Sequence, residues 1–165
     1  MDTRRDPPYV APEREMLENW LEYHRATLAQ KCDGLSDAQL RERSVPPSTM
    51  SLLGLVRHMA EVERNWFRRV LSHEDAAGRY FDDDNIDGDF DDVDTASVDE
   101  GFEYWRDECE NARAVTARMQ LDDTGTRHGE PCSLRWVLVH MIEEYARHNG
   151  HADLLRERID GVTGD

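Results

Sequence analysis

Lysine is almost missing from this sequence: of its 20 basic residues only Lys31 is a lysine, and arginine supplies the rest. That bias reads as GC-rich coding and carries no structural meaning. Basic charge as a whole is also short, because 36 acidic residues leave a formal net charge of −16. A chain of that sign is repelled by phosphate backbones and by anionic lipid surfaces, so nucleic acid and membranes are excluded as partners. No apolar run approaches the roughly 18 residues that span a bilayer. The opening MDTRRDPPYV lacks the apolar segment of a secretory signal, and a cytoplasmic protein is expected. Cysteine is scarce too. Cys32, Cys109 and Cys132 are odd in number and widely spaced, which excludes a disulfide framework and a thiolate zinc knuckle and leaves reduced, buried thiols.

What is present is helical periodicity in a length that suits one domain over residues 1–165. Glu13 to Asp33 places Leu17, Trp20, Leu21, His24 and Leu28 on one face, and Gly34 stops it. Ser36, followed three residues later by Gln39, reads as a capped short turn before Val45-Pro46-Pro47 breaks the chain. Ser48 or Ser51 caps a second long helix whose stripe runs Leu52, Leu55, Val56, Met59, Val62, Trp66, Phe67 and Val70, ending near Ser72. A third covers Ser97 to Met119, and a polar loop, Gln120 to Cys132, leads to a fourth from Ser133 to about Ile159. These elements predict an all-α four-helix bundle with a long acidic loop between the second and third long helices.

Two polar positions interrupt the stripes. His148 falls in the middle of the last helix's apolar face, and Glu144, one turn earlier, lies on its shoulder. A carboxylate that points inward is costly without compensation, and an i, i+4 Glu/His pair can chelate one ion. His58, at the edge of the second long helix's stripe beside Leu55 and Val62, is a third donor from another helix. Two imidazoles and one carboxylate leave coordination positions open, as in catalytic zinc. Bland readings stand beside this one. His58 alone is equally a core histidine satisfied by a hydrogen bond, and Glu144 with His148 is equally a surface pair on a rotated helix.

The strings HMIEEYARHNGHADLLRERIDG and LLGLVRHMAEVERNWF, with an opening helix that ends in CDGLSDAQL, resemble the DinB/YfiT-like metalloenzyme superfamily from about Glu13 to Gly161. The resemblance is closest to its actinobacterial branch, which includes mycothiol-dependent enzymes of the maleylpyruvate isomerase type. It implies a bundle with one metal-ligating histidine on the second helix, matched by His58, and two ligands one turn apart on the last. Many members have His-x-x-x-His there; Glu144-x-x-x-His148 matches the His/Glu/His variant. The resemblance also implies a homodimer, and a low-molecular-weight thiol, mycothiol, transferred to or used to isomerise a small electrophile. Zinc is the expected ion because it needs no redox role. The metal would bind the thiol and lower its pKa. His151, one turn beyond His148, is the candidate catalytic residue, either orienting a ligand or serving as general base, with His140 a weaker candidate. Arg57, Arg147 and Asn149 flank the motifs as possible substrate donors.

Other function classes compete with an enzyme. Residues 74 to 100 hold twelve acidic side chains and are expected to form a solvated connection. Within them Asp83-x-Asn85-x-Asp87-Gly88-x-Phe90, closing at Asp94, copies the ligand order of a calcium-binding EF-hand loop, though with Asp where a bidentate Glu is usual. A non-catalytic metal-binding or dimerisation module is the remaining alternative, with Trp66, Phe67, Trp105 and Trp136 as core or interface.

Overall fold

The computed structural model describes residues 4–164, so residues 1–3 and 165 of the expected domain lie outside the described residues. Along them run α1 (Glu13–Cys32), α2 (Asp37–Arg41), α3 (Leu52–Glu63), α4 (Gly88–Asp91), α5 (Val98–Thr116), strands β1 (Thr124–Arg127) and β2 (Glu130–Ser133), and α6 (Leu134–Asp160). The class is all-α, as the periodicity predicts, with one small hairpin added. The described residues fall into two compact units: one runs through Leu52 and resumes at Leu138, and the other is Leu53–Val137.

In the first unit, Glu13 and Glu15 occupy the first turn of α1, where the helix dipole favours acids. Ser36 forms the expected capping box: its Oγ accepts from Gln39 N, and Gln39 Oε1 accepts from Ser36 N at 3.0 Å. α1 is joined to the later turns of α6 by polar ties. Asn149 Nδ2 donates to His24 O at 3.0 Å, Lys31 Nζ meets Asp153 at 2.7 Å, and Arg156 Nη1 donates to Lys31 O and Asp33 O at 3.1 and 2.8 Å. Leu21 and Leu28 of the predicted α1 stripe are buried while Trp20 of that stripe is exposed, and Met141, Tyr145, Ala152 and Leu155 of α6 are buried.

In the second unit the stripe of α3 is buried as expected, but residues Arg64–Leu71 continue it as a π-helix. Such segments recur at functional sites and at points of local strain. Arg64 Nη1 and Arg68 Nε both reach the buried Glu108 carboxylate of α5, at 2.8 and 2.7 Å. Ser97 caps α5 by accepting from Glu100 N. That helix ends at Thr116 and not at Met119, because Arg118 N and Met119 N turn to the tighter i−3 carbonyls of Val115 and Thr116.

The polar loop expected from Gln120 to Cys132 is instead largely an antiparallel hairpin, with Gly125 opposite Cys132 and Arg127 opposite Glu130. Its turn is His128-Gly129, both at positive φ (51° and 83°), the two-residue form whose twist matches the strands. Arg127 stacks over the Trp66 ring, and Trp66 in turn lies 5.2 Å from Trp136.

The acidic connection also departs from expectation. Its acids are mostly exposed, yet Gly88–Asp91 forms α4, Asp92–Asp94 adds a 3₁₀ turn, and Asp89 and Val93 are buried. An EF-hand loop needs its central glycine at a sharp turn and the segment beyond it extended toward the last ligand. Here α4 begins at Gly88, which is not at positive φ, and Asp92 Oδ2 accepts from Asn85 Nδ2 at 3.1 Å. The sequence order of an EF-hand is present without its geometry.

Candidate metal centre

At 100° per residue, His140, Glu144, His148 and His151 form one ridge along α6. The Glu144 carboxylate sits between two imidazoles: His140 Nε2 lies 3.2 Å from Oε1, and His148 Nε2 lies 3.6 Å from Oε2. Both side chains of the expected pair are largely withdrawn from solvent, at 19% exposure for Glu144 and 11% for His148. Beyond His148 the ridge continues to His151, with the two Nδ1 atoms 3.4 Å apart. Each histidine of the pair on Glu144 therefore turns the same nitrogen, Nε2, toward the carboxylate.

The tightest grouping of metal-type donors on this ridge is His140, Glu143 and Glu144, whose ligand atoms lie within 4.8 Å of one another. It shares Glu144 with the expected set but takes its histidine from the turn before instead of from His148. Sequence reasoning gave His140 the weaker place; the structure puts it nearer to Glu144 than His148 is.

The flanking donors are engaged within their own units. Arg147 pairs with Glu143 and remains exposed. Asn149 is buried against His24 of α1, whose pKa is lowered by burial, so that a neutral ring accepts at Nδ1. Arg57, in the other unit, donates through Nε to Asp89 O at 3.0 Å and through Nη2 to Gly88 O at 2.8 Å, and stacks on Tyr80.

His58, on α3 of the second unit, was open between a ligand and a satisfied histidine. Its Nδ1 is 2.7 Å from Asp89 Oδ2, and its ring lies 5.1 Å from that of Phe90. Asp89 was missed from sequence, where it was one acid among many in a connection read as solvated. The one available signal was composition, which cannot single out a position.

No accessible sulfur nucleophile is supplied by the described cysteines. None of the three is in a disulfide, and all are buried. Burial pushes the Cys32 thiol up to about 12 and raises that of Cys132, and Cys109 Sγ donates to the buried Glu63 carboxylate at 3.6 Å.

The family model described as mycothiol-S-transferase matches residues 16–161. This chain belongs to the mycothiol S-transferase family. That membership accounts for the DinB-like helical pattern and gives an S-transferase family whose thiol is mycothiol. Among solved structures, one described as "Crystal structure of the conserved protein of locus from Enterococcus faecalis" matches with a TM-score of 0.62 and 18% identity, over 91% of this chain and 96% of that one. At that identity the likeness shows a common fold. No curated protein matches the chain. No helix among the described residues of this mycothiol S-transferase family member is long and apolar enough to cross a membrane.

Proposed function

We propose that this chain is a metal-dependent transferase that joins mycothiol to a small electrophile, acting as one domain over residues 1–165. The observation that carries the proposal is the half-buried Glu144 carboxylate between the Nε2 atoms of His140 and His148, in a chain of this family. Its recorded ion-pair partners are imidazoles, and such a set of nitrogen and oxygen donors suits a divalent ion, with zinc the choice that needs no redox function. His58, Glu144 and His148 are the proposed ligands, the set that the family resemblance implies. A divalent ion held there would lower the pKa of a bound thiol and so supply a thiolate at neutral pH.

The side chains have separable tasks. For His148 to ligate through Nε2, its Nδ1 must carry the proton, and His151 Nδ1 at 3.4 Å is the acceptor that fixes this tautomer. A neutral His151 then carries its own proton on Nε2, where it serves the reaction as the proposed catalytic residue. The thiol proton leaves to water, sulfur forms a bond to the electrophilic carbon, and the displaced group departs with the electron pair of the broken bond, while His151 keeps its proton and orients the bound ligand by donating a hydrogen bond from Nε2. The finer assignments proposed with it are a cytoplasmic location and a homodimer, for which half-exposed Trp136 offers an aromatic contact.

Zinc-loaded protein mixed with mycothiol and 1-chloro-2,4-dinitrobenzene tests the proposal. Conjugate is expected to form well above the blank, with His148→Ala at the blank rate and His151→Ala about a hundredfold below wild type. A wild-type rate equal to that of the blank with this and other electrophiles would remove the enzyme and favour a non-catalytic metal-binding or dimerisation module.

A further inference from the structure

The acidic segment between α3 and α5 is fastened to α3 at two places: Glu61 Oε1 accepts from Arg79 N and Tyr80 N at 2.7 and 2.9 Å, and Arg57 holds the start of α4. Arg57 donates to the carbonyls of Gly88 and Asp89, so a buried guanidinium holds the start of α4 by its backbone. That clamp presents the Asp89 side chain to the next residue of α3, His58, at 2.7 Å. The carboxylate is fixed at both ends: Oδ1 accepts from its neighbour's N–H, Phe90 N, at 3.0 Å, and Oδ2 faces His58 Nδ1. Asp89 is only 5% exposed, unlike most of the acids around it. A carboxylate that accepts on both oxygens makes an oriented contact, whereas a surface ion pair between flexible side chains does not.

The chemistry of this pair is directional. An ionised carboxylate can only accept, so the proton between the two groups belongs to His58 Nδ1. In a neutral imidazole that leaves the lone pair on Nε2, the nitrogen on the far side of the ring from Asp89. The Phe90 ring lies beside that of His58, tilted 31° to it at 5.1 Å. The acidic segment thus engages His58 at Nδ1 and faces its ring.

We propose that Asp89 is the positioning residue of the metal centre, holding His58 as its Nδ1–H tautomer so that Nε2 is the atom offered to the ion. The inference rests on the reading of His58 as a ligand. It gives the acidic segment a function other than solvation or calcium binding: Arg57 docks it, and Asp89 orients a ligand from it. Carboxylates placed behind metal-ligating histidines typically change metal affinity by 10- to 100-fold when removed.

The test is zinc affinity of the full chain, measured by competition with a chromophoric chelator, alongside the ¹⁵N shifts of the His58 ring in metal-free protein. Asp89→Ala is expected to weaken zinc binding by about 10- to 100-fold and to move His58 toward the Nε2–H tautomer. Asp89→Asn keeps an acceptor of the same shape without the charge, so it is expected to keep the tautomer and to lose less affinity; it serves also if the alanine variant fails to fold. Unchanged zinc affinity in both variants, or a wild-type His58 already protonated at Nε2, would overturn the inference while leaving the metal centre standing. Wild-type protein that takes up no zinc would overturn the metal reading itself, and the inference with it.

Discussion

Gly125→Ala is expected to lower the unfolding free energy by about 3 kcal/mol, the upper end of what overpacking costs. A Cβ at this position would collide with Val70 O and stand 2.7 Å from Val70 C. Both are main-chain atoms at the end of the π-helical segment, so no rotamer change relieves the clash. Either β1 withdraws, disturbing its pairing of Gly125 with Cys132, or the helix end yields. The check is the urea midpoint at unchanged slope. A change within about 0.5 kcal/mol, the usual range for a neutral surface substitution, would mean that β1 is not seated on this turn.

Glu108→Ala is expected to cost about 3 kcal/mol, the lower end of the range for breaking a buried charge pair. The carboxylate is 2% exposed and takes one charge-assisted bond from each of Arg64 and Arg68, which are themselves 24% and 26% exposed. Because both guanidinia reach solvent, and also bond Ala77 O and Glu74, they are not left fully stranded. That places the loss at the low end. Glu108→Gln, which keeps the shape and one acceptor, should recover part of it, measured by the same denaturation. Equal losses in the two variants would show that the charge carries the whole effect and that the retained shape and acceptor contribute nothing.

The long helices were legible because each buries apolar residues at helical spacing, although Trp20 of the α1 stripe stays exposed. Leu55, Val56 and Met59, or Met141, Tyr145, Ala152 and Leu155, recur at helical spacing, and all of them are buried. The cap at Ser36 was legible because a short polar side chain followed three residues later by an acceptor marks a helix start. The hairpin was not. Its strands are four residues each, too short for a period of two to register, and Pro131 in β2 argues against a strand on sequence grounds. Nor was the π-helical segment, since Trp66, Phe67 and Val70 keep a helical spacing whichever hydrogen-bond register the backbone adopts.

The Glu144–His148 pair on α6 was legible for the same reason as the helix: the two residues break an apolar face, and the structure sets them 3.6 Å apart. What sequence could not show is which other groups meet them. His140 was demoted although its Nε2 is nearer to Glu144, because periodicity places residues on a face without saying how side chains turn. Asp89 was invisible because its partners, Arg57 and His58, lie 32 and 31 positions away in the chain. Contacts across such distances are made by tertiary packing, and no local pattern encodes them.

Metal content of tag-free protein, by plasma mass spectrometry, tests the central claim most directly. Wild type is expected to carry close to one equivalent of a divalent metal, and Glu144→Ala and His148→Ala are expected to carry almost none. Metal absent from wild type, or kept in full by both variants, would contradict the account.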